Sequence, residues 1–237
     1  HADYTGHVRY HGCNDYRGGG HFSGRLTAPI VFAGSVCRQI LEKKGIKIAS
    51  HIQSVGKVCD SRFNPLKIDE GLIDSLNKQS FPVIDPSSEP KMREYIENAR
   101  MSQDSTGGVI ECAATGVPAG IGSPMFGGVE NLISSIMFGI PAVKGIEFGA
   151  GFAITEMLGS QANDQYAYDE NGRVVTLSNN NGGITGGITN GMPILFRIAV
   201  KPTPSISKPQ QTVDLTKHEN TELVIHGRHD PCIVPRA

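Results

Sequence analysis

The stretch "SNNNGGITGGITNGMPILFRIAVK", Ser178 to Lys201, carries the two features on which the interpretation of this fold depends. Its first part crowds asparagines and glycine pairs together in a regular phrasing that a flexible Gly/Ser linker lacks. Its second part, "PILFRIAVK", is a run of apolar and β-branched residues, which predicts a strand. The glycine-rich part is therefore predicted to be backbone shaped to fit a ligand, with a strand directly behind it.

Outward from this strand, helices and strands interleave along the chain, without the regular strand–helix–strand rhythm of a parallel sheet. Further strands are predicted over 46–56 ("IKIASHIQSVG"), in 107–122 ("GGVIECAATGVPAGIG", ending in a glycine-rich turn), over 142–149 ("AVKGIEFG") and over 221–227 ("TELVIHG"). Helices are predicted from Leu26 to a stop at Gly45, near Gly71–Asn77, over Lys91–Met101 and over Val129–Phe138. The pattern predicts an α+β protein with one domain over 1–237.

Composition narrows the classes of function. The chain has 237 residues and a formal net charge of −1, so no broad electrostatic field favours nucleic acid or an anionic membrane. Its longest apolar runs fall short of a membrane span. The five cysteines are scattered and form no CxxC pair, so we expect free thiols in a reducing cytoplasm.

A metal site is not predicted. His7 and His11 have the i,i+4 spacing that would place both on one face of a helix. However, Gly6 and Gly12 flank them, and the sequence offers no evident third ligand.

Three polar motifs are candidate ligand sites. In "YRGGGHFSGR", Tyr16 to Arg25, the glycines let backbone approach a ligand closely and leave amides for an anion at the start of the next helix; the alternative is a tight turn with a surface arginine. "KPTPS", Lys201 to Ser205, is a rigid polar loop that suits a phosphorylated cofactor. In "GRHDPC", Arg228 suits a carboxylate or phosphate and Asp230 suits proton transfer, unless the motif is only a salt-bridged loop. Neither a P-loop nor a dinucleotide-binding fingerprint is present in the sequence.

Taken in order, these motifs resemble the chorismate synthase family. The resemblance is carried by "HADYTG", "YRGGGHFSGR", "DSTGGVIEC", "GVPAGIGSPMF", "PAVKGIEFG", "NNNGGITGGITNGMPI", "KPTPS" and "GRHDPCIVPRA", which together span nearly the whole chain. It implies a β-α-β sandwich with helices packed between antiparallel sheets. It also implies a cytoplasmic homotetramer that converts 5-enolpyruvylshikimate 3-phosphate to chorismate by 1,4-anti elimination of phosphate. The family needs reduced FMN although the reaction has no net redox change, and the sequence leaves open whether NADPH reduces that FMN on the enzyme.

The resemblance also assigns residues. By matching motifs, the residues expected to contact FMN are Phe22, Ser23, Gly24, Pro141, Ala142, Gly186, Lys201, Pro202, Thr203, Pro204, Ser205 and Arg228. Ser23 and Arg25 are expected to face the substrate as well. His1 matches a proton donor near the flavin, and Asp230 matches the aspartate implicated in removing the C6 proton.

The sequence departs from the family pattern at several positions. His21 and Phe22 stand where the family usually has Arg and Ser, and Pro141 stands where Asn or Gln is common. The family's N-terminal portion and final helix have no counterpart in this sequence, so we expect the chain alone to be weakly active or inactive. Two other hypotheses stay open at this stage: another FMN-dependent oxidoreductase, and a non-enzymatic anion-binding domain whose glycine motifs serve only as turns.

Overall fold

A computed structural model describes residues 2–227 and 229–237. Its helices are α1 (Asp3–Arg9), α2 (Ala28–Glu42), α3 (Glu70–Leu76), α4 (Ser88–Met101), α5 (Val129–Met137) and α6 (Gly159–Ala162). Its strands are β1 (Lys47–Val55), β2 (Val58–Cys59), β3 (Gly108–Thr115), β4 (Val143–Phe148), β5 (Tyr166–Tyr168), β6 (Val174–Thr176), β7 (Ile184–Thr185), β8 (Ile188–Thr189), β9 (Ile194–Val200), β10 (Gln210–Asp214) and β11 (Glu219–Leu223). Short 3-10 helices span Arg17–Phe22, Gly24–Thr27, Met125–Gly127, Gly151–Glu156 and Val234–Arg236.

The main sheet has five strands in the order β2-β1-β3-β9-β4. Every neighbouring pair in it is antiparallel. The strand predicted from "PILFRIAVK" is β9, which lies between β3 and β4. Three further pairs, β5–β6, β7–β8 and β10–β11, are separate two-stranded ribbons. The predicted α+β class is confirmed.

One face of this sheet is apolar. Ile52 of β1, Ile110 of β3 and Ile198 of β9 are cross-strand partners in one row, and all three are buried. Met92 of α4 belongs to the same cluster and is fully buried. Because burying each such side chain contributes roughly 1.5–3 kcal/mol, this row and α4 stabilise the sheet from one side.

The opposite face packs against α3. Ala49, Ala113 and Leu195 form a second cross-strand row, and they cluster with Ile73 and Leu76 of α3. Side chains alternate between the two faces of a strand, so residues two positions from this row point the same way. This face therefore also carries His51, Glu111 and Arg197.

The predicted boundaries hold for most elements but differ at two. Helix α4 begins at Ser88, three positions before the predicted start, because Pro90 lies in the first turn, where proline loses no helical hydrogen bond. The strand predicted over 221–227 is wrong in position: β11 ends at Leu223, because its pairing with β10 sets its length.

Two helices carry apolar surface that this chain does not cover. No residue of α2 or of α5 is buried. Phe32 of α2 is 74% exposed, and Leu132 and Ile136 of α5 are 58% and 59% exposed. No helix within 2–227 or 229–237 combines the length and the apolar character that crossing a bilayer requires.

Candidate functional site

The asparagine-rich segment is held rigidly by one carboxylate. Asp164 Oδ1 accepts hydrogen bonds from the Ser178 hydroxyl at 2.7 Å and the Asn180 amide at 2.7 Å. Its Oδ2 accepts from the backbone and side-chain amides of Asn181 at 2.9 and 2.8 Å. Burial alone would raise the pKa of Asp164, but the bonds from Ser178, Asn181 and Asn180 outweigh it and lower that pKa. The segment is thus a built loop and not a flexible spacer.

The backbone conformation of the glycines that follow is set by the β7–β8 hairpin that they form. Asn179 is 3% exposed and receives the Gly183 amide at 2.7 Å, while its own amide group donates to the carbonyls of Pro65 and Pro193. A Cβ at Gly183 would lie 2.5 Å from the Pro193 carbonyl oxygen, whereas a Cβ at Gly186 would meet no atom within 4 Å. Gly186 therefore keeps an open approach in the turn between β7 and β8.

The "RGGGHFSGR" motif forms a compact turn ahead of α2. Gly18, Gly19 and Gly20 all have positive φ, a conformation that costs side-chain-bearing residues energy. Ser23 caps the following 3-10 helix by accepting the Arg25 amide at 3.3 Å. The Arg25 guanidinium donates back to the Gly18 carbonyl at 3.2 Å. Ser23 and Arg25, the residues predicted to face a substrate, thus also make hydrogen bonds within the turn.

A cavity of about 320 Å³ lies beside this turn. Three separate parts of the chain meet there. The lining residues are Ala2, Asp3, Asn14, Asp15, Tyr16, Gly18, Gly19, Phe22, Ser23 and Ser205. The structure thus brings Phe22 and Ser23 of the predicted set together with Ser205 of the "KPTPS" loop, next to the start of the chain.

The "KPTPS" loop is anchored at several points. The Lys201 amide donates to the Ala142 carbonyl at 2.9 Å, and Ala142 has a φ of 72°, a strained value for alanine. The Ser105 hydroxyl donates to the Thr203 carbonyl at 2.6 Å. Thr203 Oγ1 is buried and has no hydrogen-bond partner among the described residues. An unpaired buried hydroxyl is unfavourable by roughly 1–3 kcal/mol, which indicates a bonding partner beyond these residues.

The 104–108 segment, "DSTGG", links two predicted site loops. Besides the Ser105–Thr203 bond, the Thr106 amide donates to the Pro231 carbonyl at 2.8 Å, directly after Asp230. Asp104 pairs with Lys208 at 2.6 Å, and that bond, followed by the Ser105 amide, lowers the pKa of Asp104. The "KPTPS" and "GRHDPC" loops are therefore fixed to the same short segment.

Most of the predicted site residues do not line this cavity. Within the described parts of the chain these are Gly24, Arg25, Pro141, Ala142, Gly186, Lys201, Pro202, Thr203, Pro204 and Asp230. Asp230 instead forms an ion pair with Arg236. The predicted roles of His1 and Arg228 fall outside the described residues.

The described histidines do not form the arrangement that a helical metal site would need. His7 lies in the last turn of α1, which ends at Arg9, and His11 lies beyond it with a φ of 51°. Within 2–227 and 229–237, no group of three or more His, Cys, Asp or Glu side chains is placed to hold a metal ion.

Sequence reasoning missed a row of polar and charged side chains across the main sheet. His51, Glu111, Arg197 and Glu147 are successive cross-strand partners on β1, β3, β9 and β4. A second cavity, of about 340 Å³, opens at Glu111 and Arg197. The sequence did carry a signal of this row. Glu111 and Arg197 are each a single charged residue inside an apolar run, and a buried charge requires a partner.

Known proteins resemble this chain in sequence and in fold. A family model described as chorismate synthase matches residues 1–237. Chorismate synthases of Pyrococcus abyssi and Thermococcus gammatolerans are 49% and 48% identical over 237 residues, which is all of this chain and 64% of each relative. A crystal structure of chorismate synthase has a TM-score of 0.77 at 32% identity, covering 86% of this chain and 63% of that one.

The fold and the comparisons together define an α+β protein with the chorismate synthase fold. The chain belongs to the chorismate synthase family. It spans 64% of the length of the curated relatives named above.

Proposed function

We propose that this chain forms the core of a chorismate synthase. This lyase converts 5-enolpyruvylshikimate 3-phosphate to chorismate and phosphate by 1,4-anti elimination, with reduced FMN and no net redox change. Family membership supports the proposal. The structural observation that carries it is the meeting of the chain's start, the "RGGGHFSGR" turn and Ser205 at one cavity.

The residues present fit a flavin phosphate cofactor. The cavity of about 320 Å³ is within the size range of small-molecule sites. Thr203 Oγ1 is buried without a partner in the described chain, and a hydrogen bond to the cofactor would satisfy it. Gly186 offers open space in front of its backbone. We propose that FMN is held by Phe22, Ser23, Gly24, Pro141, Ala142, Gly186, Lys201, Pro202, Thr203, Pro204, Ser205 and Arg228.

The proposed substrate is highly anionic, with a phosphate and two carboxylates, so arginine is suited to bind it. Ser23 and Arg25 are proposed to contact it. One guanidinium nitrogen of Arg25 donates a hydrogen bond to the Gly18 carbonyl. This bond fixes the direction in which the other guanidinium nitrogens point. When bound, reduced FMN supplies a reversible source of electron density that helps phosphate leave.

Proton movement is assigned to Asp230 and His1. Asp230 is proposed to accept the C6 proton, which requires an ionised carboxylate. The ion pair with Arg236 holds the Asp230 carboxylate in position. His1 is proposed as the proton donor near the flavin.

A cytoplasmic homotetramer with one domain per chain is also proposed. The uncovered apolar surfaces of α2 and α5 support assembly, because a monomer rarely exposes contiguous apolar patches of this kind. Light scattering coupled to size-exclusion chromatography measures the mass directly. A mass of one chain at micromolar concentration would contradict the tetramer.

An anaerobic absorbance titration with FMN tests the proposed function, with riboflavin as the matched control that lacks the phosphate. We expect a saturable spectral shift that is tighter for FMN, and tighter again with substrate present. Phosphate release is then followed under single-turnover conditions, which detect a slow reaction, while NADPH is monitored in parallel.

The outcomes separate the alternatives. Phosphate release without matched NADPH oxidation supports the lyase. NADPH oxidation in step with product would favour a different FMN-dependent oxidoreductase. Failure to bind either flavin would contradict the proposed function and would favour the non-enzymatic alternative.

A further inference from the structure

The row of polar and charged side chains on the main sheet runs across β1, β3, β9 and β4. His51 Nδ1 lies 3.1 Å from Asp60 Oδ2, and His51 Nε2 lies 2.9 Å from Glu111 Oε2. On the far side, Arg197 Nη2 lies 2.9 Å from Glu147 Oε1. Glu111 and Arg197 join the two halves as direct cross-strand partners. Such partners have Cβ atoms about 4.5–5.5 Å apart.

The side chains of this row are buried, although apolar residues could take their places in the sheet. His51 is fully buried, and Glu111 and Arg197 are each 5% exposed. Removing charges from water is costly, and apolar residues of similar size would often stabilise such a sheet as well or better. The other face of the same strands is in fact apolar. The burial therefore calls for a reason other than the stability of the sheet.

The cavity of about 340 Å³ opens onto the middle of the row. Glu111 Oε2 is used by His51 and by the Phe63 amide, at 2.9 Å each. Arg197 Nη2 is used by Glu147 and by the carbonyls of Gly149 and Ala150. Within the described chain, Glu111 Oε1 and the Nε and Nη1 of Arg197 have no such partner. The floor of the cavity therefore presents a carboxylate acceptor and guanidinium donors side by side.

A second guanidinium lies at the cavity wall. Arg62 lines the cavity, is exposed, and makes no hydrogen bond or ion pair with the described residues. It lies close enough to oppose the charge of Arg197. The rest of the wall is largely apolar and includes Pro65, Leu66 and Leu177.

These groups select among ligand classes. Arg62, Arg197 and Glu111 all line the cavity, so a phosphate dianion would lie against a carboxylate as well as against the two guanidinium groups. A carboxylate suits the paired donors of an arginine. An ammonium next to that carboxylate suits Glu111 Oε1, because acceptor and donors lie on neighbouring strands. An apolar group on the same carbon suits Pro65, Leu66 and Leu177.

We propose that this cavity binds a small α-amino acid with an apolar side chain, at a site separate from the cavity beside the "RGGGHFSGR" turn. Arg62 and Arg197 hold the carboxylate, and Glu111 holds the ammonium. The two cavities share no lining residue. The site therefore supplies a binding function that is independent of the proposed flavin site.

Isothermal titration calorimetry of the 237-residue chain with L-phenylalanine and L-leucine tests the proposal. Two analogues are titrated in parallel: 3-phenylpropionate lacks the ammonium and 2-phenylethylamine lacks the carboxylate. We expect saturable binding of at least one amino acid and affinity at least about tenfold weaker for both analogues, since each loses a charge-assisted hydrogen bond. No saturable heat with either amino acid at millimolar concentration would overturn the proposal.

The variant Arg62→Gln locates the site. Arg62 is exposed and unpaired in the described chain, so its replacement should leave circular dichroism and the thermal midpoint unchanged while weakening amino-acid binding about tenfold. Lys67→Gln is the matched control, because Lys67 belongs to the same loop and is exposed but does not line the cavity. Equal affinity in Arg62→Gln and Lys67→Gln would place any binding elsewhere and refute the assignment.

Discussion

The hydroxyl of Ser105 donates a 2.6 Å hydrogen bond to the carbonyl of Thr203, a residue 98 positions further along the chain. This bond fixes the middle of the "KPTPS" loop to the segment just before β3. The next residue, Thr106, binds the carbonyl of Pro231 in the "GRHDPC" loop. Two loops that the sequence assigns to one cofactor site are thus positioned by adjacent residues of a third motif.

Replacing Ser105 with alanine should release the loop without removing any residue that contacts the proposed cofactor. Loss of one hydrogen bond predicts a decrease of about 1 kcal/mol in the free energy of unfolding. Because Thr203 would then be less well positioned, FMN affinity should fall several-fold beyond this general effect. Urea unfolding and the FMN titration measure the two quantities separately.

Ser102→Ala is the control for this experiment. The Ser102 hydroxyl also donates to a backbone carbonyl, that of Ala99 at 2.9 Å, but it does so at the exposed end of α4. It should change FMN affinity little. If both variants bind FMN as the parent chain does, Ser105 has no positioning role.

Asp164 should matter for stability in a way that depends on pH. Asp164→Ala removes four hydrogen bonds to the 178–181 loop. We expect a loss of about 2 kcal/mol in the free energy of unfolding near neutral pH. The folded pKa of Asp164 lies below the ordinary value of 3.8. Its contribution is therefore fully present above that value and is lost as the pH falls through the folded pKa.

The measurement is urea unfolding of parent and variant across the acid range. The difference between them should shrink as the pH falls. Asp214→Ala is the control, since Asp214 accepts two amides in the peripheral turn after β10. A difference that stays constant down to strongly acid pH would contradict the role given to the Asp164 carboxylate.

The cysteines should differ sharply in reactivity. Burial, with a smaller effect of Glu111, raises the pKa of Cys112 to about 12. Only the thiolate reacts with alkylating reagents, so at pH 8 about one Cys112 side chain in ten thousand is reactive. Cys13 and Cys59 are exposed. Cys112 is partly exposed, so its raised pKa and not exclusion from solvent limits its reaction. Iodoacetamide labelling followed by peptide mass mapping should modify Cys13 and Cys59 much faster than Cys112, and urea should remove the difference. Native labelling of Cys112 at a rate equal to that of Cys59 would show that the thiol is not protected.

Much of the fold could be predicted from local pattern. The strand that became β9 and the helix that became α2 were recognisable because apolar residues recur with the right period between clear start and stop signals. The sequence pattern predicts the start of α4 three residues too late, because proline can end a helix or can lie in its first turn. Strands β7 and β8 have two residues each, too few for any periodicity to be visible.

The candidate site divides in the same way. Motifs identified Ser23, Ser205 and Thr203, because glycine and proline mark backbone with unusual shape. The pairing of Glu111 with Arg197 was not predictable, because these residues are 86 positions apart and the register of their strands is set by tertiary packing. For the same reason no local pattern could place Asp164 beneath the asparagine segment or join Ser105 to Thr203.

Gly183 and Gly186 provide the sharpest comparison in the hairpin, because both have positive φ, 82° and 63°. Alanine at either position incurs a conformational penalty of about 1–2 kcal/mol. At Gly183 the new Cβ would also lie 2.5 Å from the Pro193 carbonyl oxygen, so Gly183→Ala should unfold the hairpin or destabilise the chain by several kcal/mol.

At Gly186 the Cβ meets no atom within 4 Å, so Gly186→Ala should fold with only the conformational loss. Gly186 is proposed to contact the flavin, so the added methyl group should lower FMN affinity at least about tenfold. Urea unfolding and the FMN titration of the two variants measure both effects. FMN affinity equal to that of the parent in Gly186→Ala would remove Gly186 from the proposed site.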